Sequence, residues 1–567
     1  MKTVSYGIAG LTSLLTLVTT IMTNTFVLGK TSETQSRQFV VTKRYLNFPI
    51  TQDAPKRAVQ VSVGGKVVAR FDAEFATDTP GWWSPLDVSA WHGQSMTVSI
   101  ENMPDTSQGI DSVSESDTPK GEEDVYKEAL RPQFHFSAQR GWLNDPNGMV
   151  YFNGRYHLFF QHSAFSWNDA TKSWGNAVSK DMVHWQELPE ALLPDLDGAI
   201  WSGSGVDDVH NTSGFGSNGN PPIVLMYTAA GDPFVQCIAS STDGIKFHKY
   251  DKNPVVQNIA PGDRDPRVFW YEPTKHWVMA LWVGQDGQNT IQFFVSPNLR
   301  DWTHSSTFKG GSNGDNFLYE CPDIFELPVD GHRDNMKWVL TAANGEYAVG
   351  TFDGRAFHAD ETHLHGQLGT GYYAPQTFNH EPKGRRVQIG WMQTETHGMP
   401  FNQSMSLPIE LKLVSTPGGP RMTWTPVQEL ESIRGIHHQF GSMILSQSSA
   451  NPLSSIEGDL LEIRTSFEPQ PGTITSYNIR GVNVSFDANK QQLTVNGNVA
   501  LAPLRRGKQT LAIYVDRTSV EVFASDGLVY MPVPINTDSS NRNLSVTVQG
   551  GSVEINAIDV YILKSIW

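Results

Sequence analysis

Apolar residues recur at every second position in short runs along most of the chain, and no long stretch carries a helical period. Val59-Gln60-Val61-Ser62-Val63 and Met96-Thr97-Val98-Ser99-Ile100 are examples near the start. Such alternation predicts strands with one buried face, so a small β domain is expected over residues 38–105. From Thr106 to Lys127 the alternation stops. Asp111, Glu115, Asp117, Glu122, Glu123 and Asp124 fall there among few apolar residues. That composition predicts a solvated acidic linker over 106–127.

A fourfold signature then appears. Ser179-x-Asp181-x-x-x-Trp185 is followed by Ser241-x-Asp243-x-x-x-Phe247, Ser296-x-Asn298-x-x-x-Trp302 and Thr351-x-Asp353-x-x-x-Phe357, with starts 62, 55 and 55 residues apart. Each copy follows a strand-like run. A hydroxyl and a short acid or amide can close a turn there, and the aromatic can anchor the return. This period in an all-β pattern predicts propeller blades of about four strands, and residues 128–424 hold roughly five. Thr425-Pro426-Val427 reads as a capped helix start with Pro at the first helical position. Strand-like runs resume beyond it, at Leu511–Asp516, Ser519–Phe523 and Ser545–Val548. They predict a C-terminal β-sandwich over 425–567.

Composition narrows the function. The formal charge of −16 argues against a nucleic-acid partner. Aromatics reach 11%, with 16 Trp, a richness shared by sugar-handling proteins and by large cores. Lys2 and the apolar run from Tyr6 to Met22 read as a secretory signal within residues 1–29, with an uncleaved anchor as the other reading. Apart from that anchor no membrane association is expected, and the protein is expected to be extracellular. Cys237 and Cys321 are too few for a disulfide framework or a cysteine zinc site. Sequons at Asn211, Asn402, Asn483 and Asn543 predict glycosylated surface loops if the source is eukaryotic. Trp82, Trp83 and Trp91 fit either core packing or a sugar platform.

Three acidic motifs carry the chemistry. Trp142-Leu-Asn-Asp-Pro-Asn-Gly148 sets Asp145 in turn-forming sequence, which alone reads as a plain hairpin turn. Asp263-Arg-Asp-Pro266 and Tyr319-Glu-Cys-Pro-Asp323 are each weak alone. Together, Asp145, Asp265 and Glu320 each stand at the start of a blade-like unit. The innermost strands of a propeller line its channel, so acids at equivalent strand ends would converge.

With these motifs the chain resembles glycoside hydrolase family 32, the invertases, inulinases and levanases that act on β-fructofuranosides. Supporting segments are Tyr156–Gln161, Trp174–Ser179, Trp201–Ser204, Tyr372–Gln376 and Gly390-Trp391-Met392. Leu511–Phe523 resembles a signature of the family's sandwich. The resemblance spans residues 130–567 and implies a five-bladed β-propeller followed by a β-sandwich. It implies Asp145 as nucleophile, Glu320 as general acid/base, and Asp265, beside Arg264, as transition-state stabiliser. Trp142, Asn144, Gln161, Trp201, Ser202 and Trp391 would line the fructose pocket, and so would Trp167, which stands closer to Gln161 than the family pattern has it. Leu143 replaces the usual Met, and Gly371 stands where many members carry Asp.

Cleaving a fructoside builds positive charge at the anomeric carbon. An ionised carboxylate attacks from one face while a carboxylic acid protonates the leaving oxygen, then activates water. No cofactor or metal is required. The expected activity is a retaining, exo-acting hydrolase releasing fructose from levan or inulin. The alternatives are an invertase preferring sucrose, a fructosyltransferase, and a non-catalytic fructan-binding protein.

Overall fold

The computed structural model describes residues 33–104, 109–311, 315, 317–538 and 540–567, so the expected signal segment lies outside it. Among these residues strands dominate, and the only α-helix is the single turn Gly109–Ser112. No helix among them is long and apolar enough to cross a membrane.

The N-terminal unit packs two small sheets face to face. One runs Glu33–Val40, Ser95–Met103, Arg57–Val63, Lys66–Ala73; the other runs Trp82–Asp87, Tyr45–Ile50, Ser114–Ser116. The alternating positions Val59, Val61, Val98 and Ile100 are fully buried between them. Trp82 joins this core, and Lys120 lies over the Trp83 ring at 3.9 Å. The segment expected to be a linker departs from that reading. Ser114–Ser116 pairs with Tyr45–Asn47, and Glu115 accepts from Thr42 N at 2.8 Å. Glu115 and Asp117 thus serve as hydrogen-bond acceptors within the fold, a use that composition does not distinguish from solvation.

Three antiparallel meanders follow. They are Gly141–Phe152, Arg155–Ser163, Ser173–Ser179, Trp185–Leu192; Ala199–Asp207, Ile223–Ala230, Phe234–Ser241, His248–Lys249; and Arg264–Tyr271, His276–Gln285, Gln288–Ser296, Thr303–Lys309. A nine-stranded sheet then holds Asp323–Val329, His332–Thr341, Tyr347–Phe352, Phe357–Leu364 on one side. Tyr372–Thr377, Arg386–Met392, Ile409–Thr416 and Gly419–Pro426 lie on the other, and the halves meet where Val329 pairs with Leu413.

The first strands of these groups are laced together as in a β-propeller. Gly203 N donates to Asn147 Oδ1, Val268 N to Ser204 Oγ, and Arg267 to Thr377 O. Arg267 also pairs with Asp323 at 2.8 Å, both fully buried. Asn379 exchanges backbone bonds with Met149 and Tyr151, and Phe401-Asn402 pairs in parallel with Gly141-Trp142, tying the last group back to the first. Strands approach closely here. A Cβ on Gly205 would stand 2.5 Å from the Gly148 carbonyl, so only glycine fits.

The fourfold signature occupies one place, the turn from third to fourth strand. Asp181 Oδ1 accepts from Val183 N and His184 N, Asp243 Oδ1 from Ile245 N and Lys246 N, Asn298 Oδ1 from Arg300 N and Asp301 N, and Asp353 Oδ1 from Arg355 N and Ala356 N. The expected helix at Thr425-Pro426 is absent. Both residues complete a hairpin, paired with Glu410 and Ile409, and a 3₁₀ turn starts only at Gln428.

Beyond it a seven-stranded and a five-stranded sheet sandwich a core that includes Ile463, Phe467, Tyr477, Phe486 and Ile513. His135 fastens sandwich to propeller. Its Nδ1 meets Asp516 at 2.8 Å and its Nε2 meets Glu521 at 2.9 Å, all fully buried. Asp516 also accepts from Gln133 N and Phe134 N.

Candidate active site

Asp145 sits in the first strand of the first meander, inside the first of two irregularities in the pairing of that strand with Arg155–Ser163, the one between Leu143 and Pro146. The Asn-Asp-Pro-Asn-Gly sequence therefore makes bulges inside a strand, not a chain reversal. Bulges re-aim side chains, and here they leave Asp145 half-buried. Its Oδ2 accepts from Ser202 Oγ at 2.6 Å and its Oδ1 from Asn144 Nδ2 at 3.1 Å. Desolvation pushes its pKa up; the Ser202 bond opposes that, Glu320's charge adds to it, and Asn144 and Lys172 pull it back.

Asp265 opens the third meander and is buried. Its Oδ2 accepts from Cys321 N at 3.0 Å and lies 3.4 Å from Cys321 Sγ, while that sulfur is 3.7 Å from Asp145 Oδ2. Desolvation, then the charge of Glu320, raises the Asp265 pKa to about 7, with Arg264 opposing. Glu320 precedes the first strand of the nine-stranded sheet's first half. Its Oε2 accepts from Arg264 Nε and Nη2 at 3.0 and 2.8 Å, and its Oε1 from the Tyr373 hydroxyl at 2.5 Å. Asp145, Cys321, Asp265, Arg264 and Glu320 thus form one connected network, and the three acids lie together as expected.

Asp265, Glu320, Cys321 and Ala374 all have φ between 44 and 64°, a region costly for residues with a Cβ. Strain of about 1–3 kcal/mol per residue persists where surrounding structure fixes it, and it clusters at functional sites.

Of the remaining expected residues, Ser202 and Asn144 bond Asp145 directly, and Trp391 reaches the network through Tyr373. Ser202 and Trp201 come from the first strand of the second meander. The Trp201 ring packs edge-on against Phe234 at 5.0 Å. Gln161 is buried, its Nε2 donating to Ile200 O. Arg264 stacks over Trp282 at 4.1 Å and reaches the Tyr319 hydroxyl at 2.8 Å. Trp391 bridges Trp142 and Tyr373, with ring centroids 6.0 and 6.4 Å away. Trp142 Nε1 and Asn144 Oδ1 are buried without a hydrogen-bond partner, as groups awaiting substrate hydroxyls would be. Trp167 lies further out, beside Trp142 in a cleft, its ring 4.7 Å from His397.

Four contributors carried no role in the sequence reading: Cys321, Tyr373, Lys172 and Tyr319. Cys321, Tyr319 and Tyr373 stood inside quoted motifs, so the signal was present but unassigned. Lys172 had none. It is buried near Asp145, and desolvation lowers its pKa to about 7. Gly371 has φ +75°, and a Cβ there would meet the Pro534 ring at 2.9 Å, which accounts for glycine at that position. Asn402 departs from the surface-loop expectation for its sequon. It is 1% exposed, with its amide bonded to Trp167 O and Thr396 N.

Residues 135–425 match the Glycosyl hydrolases family 32 N-terminal domain, and residues 429–562 the Glycosyl hydrolases family 32 C terminal. A levanase of Bacillus subtilis is 38% identical over 488 residues, covering 78% of this chain and 72% of the levanase. The extracellular exo-inulinase of Aspergillus ficuum is 31% identical over 519 residues, covering 78% of this chain and 96% of its own. The crystal structure of exo-inulinase from Aspergillus awamori superposes with a TM-score of 0.69 at 30% identity, covering 78% of this chain and all of that one. The protein belongs to glycosyl hydrolase family 32.

Proposed function

We propose that the protein is a secreted, retaining, exo-acting β-fructofuranosidase that releases fructose from fructans. The connected network of Asp145, Asp265 and Glu320 carries this reading. Relatives named levanase and exo-inulinase support the fructan substrate and the extracellular setting. The sheets read as five blades, with the nine-stranded sheet counted as two, followed by a sandwich that begins beyond Pro426.

In this reading Asp145 is the nucleophile. Its carboxylate oxygen bonds to the anomeric carbon as the glycosidic C–O bond breaks, and Glu320 passes its proton to the leaving oxygen. Glu320 then takes a proton from water, whose oxygen displaces Asp145 and frees fructose. Ser202 and Asn144 hold the ionised form of Asp145 against desolvation, because both donate to it. Asp265 faces the ring hydroxyls, fixed by Cys321 N. Arg264 donates to Glu320, lies 3.7 Å from Asp265, and so sets the relative position of the two acids. Trp142, Asn144, Gln161, Trp201, Ser202 and Trp391 form the fructose pocket.

Product analysis on levan, inulin and sucrose tests the reading. Free fructose is expected as the first product, with faster turnover on a fructan than on sucrose. Turnover on sucrose equal to or better than on either polymer would overturn the fructan preference and favour an invertase.

A further inference from the structure

The N-terminal unit does not hang free of the propeller. Phe165, from the loop after strand Arg155–Ser163, enters the core of that unit and stacks on Phe71 with ring centroids 3.9 Å apart. Glu74, 1% exposed, accepts from Trp167 N at 2.7 Å and from Asn168 Nδ2 at 2.6 Å. Asp53 accepts from the same amide at 2.9 Å, and Lys56 donates to Asp169 O. Gln52 reaches across to Gly398 N.

This docking borders an open cleft of about 540 Å³, within the ligand-site range of about 300–1,000 Å³. One wall is Asp53, Lys56 and Glu74; the other includes Trp142, Trp167 and Asn402. Trp167 is 4% exposed, and its Nε1 is buried without a partner, as is that of Trp142. Both indole N–H groups are therefore free to donate to a ligand oxygen. Side-chain contacts link the cleft to the active site. Trp142 packs on Trp391, Trp391 on Tyr373, and Tyr373 bonds Glu320.

We propose that this cleft is a carbohydrate subsite built jointly by the two units. It would receive fructosyl units of the chain beyond the bond being cleaved. Trp142 and Trp167 offer donors, Asp53 and Glu395 offer acceptors for hydroxyls, and Lys56 offers a further donor. A neutral polyhydroxylated ring suits this mixed lining better than an anion, because carboxylates edge both sides. The proposal rests on the fructosidase reading for the direction of the chain, and it gives the N-terminal unit a role in selecting long substrates.

The test uses the full chain with Asp53→Ala and Lys56→Ala combined, both at exposed positions. The readout is the ratio of kcat/KM on a fructose tetrasaccharide to that on sucrose. A fall of at least about fivefold, carried by KM for the tetrasaccharide, is expected. An unchanged ratio would overturn the subsite. So would an equal loss on both substrates, because that would mean the residues only position the Trp167 loop. The second measurement is calorimetric titration of the tetrasaccharide into Asp145→Asn, with and without the double substitution. Weaker binding in the presence of the double substitution is expected, and equal binding would overturn the proposal. This arm decides the subsite even if the wild-type protein hydrolyses no fructoside, an outcome that would instead defeat the proposed function.

Discussion

Ser202 donates to Asp145 Oδ2 at 2.6 Å, and that bond opposes the desolvation that raises the Asp145 pKa. A hydrogen bond to a charged acceptor contributes about 1.5–3 kcal/mol. Ser202→Ala should therefore lift the acidic limb of the kcat/KM profile by about one pH unit, since the attacking form is the ionised one. A pH–rate profile whose acidic limb stays in place would remove Ser202 from the support of Asp145. At this scale the acids were readable because each lies in a short contiguous motif. Cys321 was quoted within its motif, yet its bridging position between Asp145 and Asp265 depends on residues 176 and 56 positions away. Lys172 stands in no motif. It is buried near Asp145 in the fold, a placement no local pattern encodes.

The repeated turn is the most legible element of the fold. Its hydroxyl, its acid or amide and its aromatic stand at fixed offsets because each closes the same third-to-fourth-strand connection. Asp181 accepts from Val183 N, His184 N and the Ser179 hydroxyl. Asp181→Ala leaves the two backbone donors to water and should cost about 1 kcal/mol in a denaturant melt, with little change in turnover. A loss of several kcal/mol would mean the turn does more than close the connection. Where the signature is missing, the sequence said less. The strands from Tyr372 to Pro426 lack it, and their sheet continues that of the preceding strands through the Val329–Leu413 pairing. Thr425-Pro426 carried a genuine helix-start pattern, but pairing with Glu410 and Ile409 prevailed over it. Likewise Glu115 and Asp117 satisfy backbone and side-chain donors of the N-terminal unit.

Across the whole molecule, His135 is the clearest fastening between propeller and sandwich. Burial alone would lower its pKa, but hydrogen bonds and charge from Asp516 and Glu521 together outweigh burial and raise it to about 9. A folded-state value above the unfolded 6.5 means that its contribution is full below about pH 6.5 and lost as pH rises through about 9, at most about 3 kcal/mol. Melts of the wild type and His135→Gln from pH 6 to 10 should show the wild-type advantage shrinking over that window. A constant gap would mean the histidine packs without its charge. The strands of propeller and sandwich were visible in the alternation, but His135 was not, because its two partners lie in the sandwich more than 380 residues away. The central claim for the molecule is retention of configuration through a fructosyl-Asp145 ester. Proton NMR of the products formed from levan in dilute methanol tests it most directly. Methyl β-fructofuranoside is expected as the first methanolysis product, and the α-anomer, or no fructosyl transfer to methanol or water at all, would contradict it.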